Sequence, residues 1–244
     1  IRRPLDRTSR FSDQARELIR YASLAASGHN TQPWKFAIRE NSIEIYPDYT
    51  RSLPVVDPEH RELWISLGCA LENLTIAAQS CGYVPGITYP GAADLIRVQF
   101  TPDAPRRDPL FDAIPLRQNT RSEYDGRPVK PSDLEKAMAS LAEQGVELRF
   151  VLNSPELNTV SEYVSQGDLR QYGNKAFVEE LIGWLRFNKR DALDRFDGLF
   201  VHCSGNPEVP RWLGRIFVAK TNPRKQANDD VKTRRRWLAY ADSF

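Results

Sequence analysis

Ala26-Ser27-Gly28-His29-Asn30-Thr31-Gln32-Pro33-Trp34-Lys35-Phe36 is a small, polar turn set between two apolar patterns of different period. Upstream, Ala15, Leu18, Ile19, Ala22 and Ala26 recur at helical spacing. Downstream, Trp34, Phe36 and Ile38 alternate with polar residues as a half-buried strand does. The stretch therefore reads as helix, turn, strand. The turn's residues leave two readings open. In one, Gly28 ends the helix, Asn30 caps a turn and Pro33 sets the strand entry. In the other, the hydrogen-bonding groups of Ser27, His29, Asn30, Thr31 and Gln32 hold a ligand, and Gly28 lets the main chain approach it or take a positive φ.

Working outward, residues 60–82 carry Leu63, Leu67, Ala70, Leu71, Leu74, Ala77, Ala78 and Cys81 in helical register, with Trp64, Ile65 and Ile76 widening the face. A helix apolar on nearly all sides is expected to be buried centrally. Residues 36–39 and 43–46 flank Glu40-Asn41-Ser42 as a hairpin, and 95–100 read as a further strand. The sum is an α+β unit, a mixed or antiparallel sheet flanked by helices. The run from Thr101 to Pro109 then breaks every periodicity with proline and charge. It suggests a division into residues 1–100 and 110–244.

Past that point, Ser132 and Glu135 form a capping-box pattern for a helix to about residue 143, and 146–152 read as a strand. Ser154-Pro155 opens a long helical region, with interruptions, to about residue 195. Within it, Phe177, Leu181, Trp184 and Leu185 with Arg186, Lys189 and Arg190 suggest a packed face and a solvated basic face. A second amphipathic stretch, Trp212, Leu213, Ile216 and Phe217, follows Pro210 and is a candidate cover for a pocket.

Among 244 residues, 34 Lys and Arg against 32 Asp and Glu give a net charge of +2. That is too small to point to nucleic acid by electrostatics. The 41% hydrophobic content suits a packed core rather than disorder. Cys69, Cys81 and Cys203 have no metal-type spacing and are expected to be reduced. No apolar run has the length of a membrane span, and Arg2-Arg3 is not followed by an apolar segment. A cytoplasmic protein with no membrane partner is the expectation.

A second constellation is Arg117-Gln118-Asn119-Thr120-Arg121-Ser122-Glu123-Tyr124, followed by Arg127-Pro128-Val129. Two arginines four apart can bind a phosphate, or a phosphate and a second electron-rich group, through charge-assisted hydrogen bonds. Arg117-x-Asn119-x-Arg121 resembles the Arg-x-Ser-x-Arg signature of the nitroreductase family, with Asn119 in the place of Ser. Ser27-x-x-Asn30-x-Gln32-Pro33-Trp34 resembles the same family's Ser-x-x-Asn-x-Gln-Pro-Trp motif, and the helix around Gly68–Leu74 its long core helix. The arginine motif ordinarily precedes the Gln-Pro-Trp motif; here it follows, and Arg7-Thr8-Ser9-Arg10 is off in spacing. Residues 153–244 resemble only the tandem, Acg-like subgroup, in which one chain carries two degenerate units.

That resemblance implies a nitroreductase-like fold in two degenerate repeats, and one FMN site per chain, either in a monomeric pseudo-dimer or in a homodimer. Ser27, Gly28 and Asn30 would contact the flavin. Gln32 would serve more as a brace. Arg117 and Asn119 would hold the phosphate, and Arg121 would approach the pyrimidine edge. The implied activity is NAD(P)H-dependent two-electron reduction of a small-molecule acceptor, nitroaromatic or quinone-like. The alternative is an FMN-sequestering protein with the flavin under a cover.

Overall fold

The structure, a computed structural model, describes residues 9–91, 94–106, 108–119, 127, 129–139, 146–151 and 154–220. The chain divides into two compact units. One is drawn from residues before 121 together with Trp184–Val201, the other from residues 121–183 and those after 201.

In the first unit, helix α1 (Phe11–Ala22) buries Gln14, Ala15, Leu18, Tyr21 and Ala22, one stripe at helical spacing. It stops well before Gly28, with the Ser23 amide returning to the Ile19 carbonyl at 2.8 Å. Strands β1 (Trp34–Ile38) and β2 (Ser42–Pro47) form the expected hairpin, and helix α2 (Arg61–Ser80) follows. Strands β3 (Tyr83–Thr88) and β4 (Ile96–Pro102) complete a four-stranded antiparallel sheet in the order β1-β2-β4-β3. The short helix α3 (Pro109–Ala113) starts at Asp108, whose carboxylate accepts the Leu110 amide at 2.8 Å, and places Phe111 against Tyr21 at 4.7 Å between ring centroids.

Register sorts the sheet's two faces. Phe36 pairs with Ile45, Ile43 with Val98 and Ile45 with Ile96, so these side chains point one way and meet α1 and α2; Ile43, Ile45 and Val98 are fully buried. Glu44, Tyr46 and Arg97 point the other way. Glu44 is buried beneath its partners: Arg39, Arg97 and the Tyr46 hydroxyl all donate to its carboxylate, at 2.7 to 3.0 Å. The Tyr46 hydrogen bond leads in holding the Glu44 carboxyl down to about 2, against a burial cost that pushes it up.

One expectation about α2 is corrected. The helix is not buried on all sides: Leu63, Leu67, Ala70, Leu74 and Ala77 face the core, whereas Ile65, Gly68 and Glu72 are exposed. Packing against α1 on one flank and the sheet on the other leaves the third side open. Strand β3 was not anticipated, and it carries Pro85 and Gly86. It forms at the sheet edge, where a proline removes no ladder hydrogen bond needed by a neighbour.

In the second unit, α4 (Pro131–Ala139), α5 (Ser154–Gly173), α6 (Lys175–Trp184) and α8 (Arg211–Lys220) are the main elements; the last residue of α6 counts with the first unit. Leu157, Phe177 and Ile182 are buried, and Tyr172 meets the Phe177 ring edge-on at 5.8 Å. The strand expected at 146–152 does not form over residues 146–151, which have no regular structure. In α8, Trp212, Ile216 and Phe217 are exposed. Among the described residues no helix is long and apolar enough to cross a membrane, and Cys69, Cys81 and Cys203 are free thiols.

Between Trp184 and Val201 the chain adds β5 (Leu185–Arg186), α7 (Lys189–Arg195) and β6 (Leu199–Phe200) to the first unit, with β5 and β6 paired in parallel.

Candidate functional site

Residues 27–32 fold into a tight turn whose backbone is unusual for its composition. His29, Asn30 and Gln32 all adopt left-handed conformations, with φ of 47°, 53° and 53°. Each such non-glycine residue costs about 1 kcal/mol. Gly28 does not take a positive φ, and a Cβ there would meet Leu53 at an ordinary 3.5 Å. The conformational freedom expected of Gly28 is therefore exercised by its neighbours.

Local hydrogen bonds explain part of this shape. The Ser27 hydroxyl accepts the Gln32 amide at 2.9 Å, the Asn30 amide donates to the Ser27 carbonyl at 3.0 Å, and the Thr31 amide to the Gly28 carbonyl at 2.9 Å. The Gly28 amide donates to Ser66 Oγ of α2 at 3.3 Å. The rest comes from far along the chain. Asn30 and Gly198 exchange two hydrogen bonds, Asn30 Nδ2 to the Gly198 carbonyl at 3.0 Å and the Gly198 amide to the Asn30 carbonyl at 3.1 Å. Gln32 Nε2 donates to the Phe196 carbonyl at 2.6 Å. Gln32 and Asn30 both hydrogen-bond across to residues 196–198.

Between these two contacts lies Asp197. Its carboxylate takes Arg51 Nη2 on one oxygen at 2.5 Å and Arg186 Nη2 and Nε on the other at 2.5 and 3.1 Å. Arg51 also donates through Nε to the Thr31 carbonyl, so one guanidinium ties the turn to Asp197. Both guanidiniums lie over the Trp184 ring, at 5.5 and 5.8 Å. Burial works to raise the Asp197 carboxyl, but the hydrogen bonds from Arg186 and Arg51 outweigh it and hold the group below its ordinary value. The expectation of a solvated basic face at 186–190 is corrected for Arg186. Its side chain is 2% exposed, because a buried guanidinium requires a partnered carboxylate and Asp197 supplies one. Lys189 and Arg190 remain exposed.

Arg117 and Asn119 of the arginine motif lie in the same unit. Ile114, buried, anchors a short turn through Leu116, from which Arg117 emerges with its amide bonded to the Ala113 carbonyl at 3.0 Å. Arg117 Nη1 donates to Asn119 Oδ1 at 2.9 Å, and Nη2 donates to the Leu24 carbonyl at 3.2 Å. Leu24 stands three residues before Ser27, so Arg117 and Asn119 are brought to the shoulder of the turn. Arg117, Gln118 and Asn119 are exposed. Arg121 lies outside the described residues.

Behind the turn, a cleft lined by Gly28, Thr31, Arg51, Leu53, Asp57 and Ser66 measures about 10 Å³. It admits one water and no aromatic ring. Asp57 at its floor accepts the Glu62 and Leu63 amides at 3.1 and 2.9 Å, closing the first turn of α2.

The sequence reading missed Arg51, Arg186, Asp197 and Gly198. Their contacts span up to 168 residues and belong to no short motif. Asp197-Gly198 could have been read only as a turn dipeptide after a helix.

No family profile matches the chain. Individual relatives do. "Putative NAD(P)H nitroreductase Rv3131" of Mycobacterium tuberculosis (strain ATCC 25618 / H37Rv) is 30% identical over 179 residues, covering 71% of this chain and 51% of the relative. "Putative NAD(P)H nitroreductase acg" of the same strain is 25% identical over 182 residues, covering 71% and 54%. "Uncharacterized protein MT1398" of strain CDC 1551 / Oshkosh is 24% identical over 186 residues, covering 73% and 26%. The chain spans about half the length of the nitroreductase-named relatives it matches. Over these spans the chain is similar to proteins named as putative NAD(P)H nitroreductases.

Proposed function

We propose that the chain is a nitroreductase-type oxidoreductase that holds one FMN against the Ser27–Gln32 turn and Arg117. The observation that carries the reading is the 3.2 Å bond from Arg117 Nη2 to the Leu24 carbonyl, which puts the phosphate-binding candidate beside the turn across 93 residues of sequence. The relatives' names support a redox activity dependent on NAD(P)H.

The donor set suits the group. Arg117 is exposed and charged, fit to take a phosphate, and Asn119 orients its guanidinium at 2.9 Å. Ser27, Asn30 and Gln32 use donor or acceptor atoms within the protein, so their part is to shape the turn that faces the cofactor. Arg121 is assigned the pyrimidine edge on the motif alone. Bound FMN would supply the electron chemistry, accepting hydride from NAD(P)H and reducing a small nitroaromatic or quinone-like acceptor. The turn, Arg117 and Asn119 come from one compact unit.

The test is direct. Purified protein mixed with FMN should quench flavin fluorescence and retain yellow colour through desalting, and anaerobic NADH or NADPH should bleach it. A colourless protein with unaltered flavin fluorescence would sink the proposal. Yellow protein that neither nucleotide bleaches would leave the storage reading in its place.

A further inference from the structure

We infer that residues 196–198 are a clamp that fixes the Ser27–Gln32 turn in its left-handed conformation, with Asp197 as a positioning residue acting through Arg51. The inference deepens the flavin reading and rests on it only for the consequence to FMN; the clamp itself stands on geometry.

Three left-handed residues in six are an uphill conformation that local bonds alone do not explain. Three separate connections hold it from outside: the paired Asn30–Gly198 hydrogen bonds, Gln32 Nε2 on the Phe196 carbonyl, and Arg51 bridging the Thr31 carbonyl to Asp197. Each grips a different residue of the turn, at 30, 31 and 32. The clamp is itself held by neighbouring structure. Phe196 and Gly198 are left-handed, at φ 54° and 76°, and β5 and β6 pair on either side of α7. Arg186, fully enclosed, holds Asp197 from behind through two hydrogen bonds. A carboxylate so oriented keeps Arg51 pointed at Thr31 rather than at solvent. Strained backbone persists where its surroundings over-determine it, and such places are where binding geometry is set in advance.

The experiment is amide hydrogen exchange on the full chain without FMN, comparing wild type with Asp197→Asn and Arg51→Lys, followed by FMN titration of the same samples. Asp197→Asn keeps the shape and removes the charge. Arg51→Lys keeps the charge and removes the fork that reaches both Thr31 and Asp197. Exchange at residues 30–32 should rise about tenfold or more in each variant while core amides of α2, such as Leu67 and Leu74, hold their protection. Unaltered exchange in the turn overturns the clamp. So does an equal rise in the turn and in α2, which would make Asp197 a brace for the whole unit. If Asp197→Asn does not fold, Arg51→Lys decides on the same criterion. FMN should bind about tenfold more weakly to the variants; equal affinity with a loosened turn overturns the positioning role. Wild type that fails to bind FMN removes the flavin reading and leaves the exchange result to judge the clamp.

Discussion

Gly198 stands so close to Trp184 that a Cβ on it would sit nearer to the Trp184 carbonyl oxygen than any real Cβ contact allows, and against the Arg186 guanidinium at 2.7 Å. Neither neighbour can withdraw easily, since one is backbone at the α6–β5 junction and the other is hydrogen-bonded to Asp197. The φ of 76° adds a second penalty for any L side chain. Gly198→Ala should therefore cost roughly 2 kcal/mol or more, read as a lowered urea midpoint. A variant within about 0.5 kcal/mol of wild type, the range of an ordinary surface change, would show that Gly198 does not approach Trp184 this closely.

Arg117→Ala should weaken FMN binding about tenfold, the loss of one charge-assisted hydrogen bond. Arg10→Ala removes an arginine whose side chain is 88% exposed and which pairs only loosely with Asp13 at 3.7 Å. It serves as the control from the off-spacing run at residues 7–10. Flavin fluorescence titration gives both constants, and equal losses would overturn the assignment of the phosphate to Arg117.

Acid should unfold the first unit through Glu44. Its folded carboxyl lies near 2, below its ordinary 4.5. A depressed group favours the folded state at pH values above the unfolded pKa, and that contribution fades as pH falls from about 4.5 toward 2. Glu44→Gln should be less stable than wild type at neutral pH, because Arg39 and Arg97 lose their anion, and should show a flatter stability profile across that acid window. Parallel profiles for the two proteins would remove Glu44 as the source.

The exposed side of α2 makes its own prediction. Leu74→Ala, at a fully buried position, should cost about 3 kcal/mol. Ile65→Ala, at a position 44% exposed, should cost less than about 1 kcal/mol. Thermal melts of the two variants measure the difference, and comparable losses would mean that the open face of α2 is covered in solution.

Much of the first unit was legible from local pattern. Alternation at Trp34, Phe36 and Ile38, and at Ile43 and Ile45, is enough to pair β1 with β2, because a one-residue slip would turn every apolar side chain outward. The stripe Leu63, Leu67, Ala70, Leu74 and Ala77 likewise fixes α2. Strand β3 went unread; a proline within a strand is tolerated at an edge position, which local pattern does not reveal. Arg186 looked solvated because a charge beside Lys189 and Arg190 on an amphipathic pattern ordinarily is; only the return of Asp197 beneath it makes burial tolerable.

The turn at Ser27–Gln32 divides in the same way. Its place between helix and strand, and its polar character, were determined by sequence alone, because periodicity and hydrogen-bonding capacity are properties of neighbouring residues. Its shape was decided by tertiary structure. Left-handed Asn30 and Gln32 are unfavourable locally and take partners from Gly198 and Phe196, while Arg51 ties Thr31 between them to Asp197, contacts whose strength depends on distance in space and leaves no trace in spacing along the sequence.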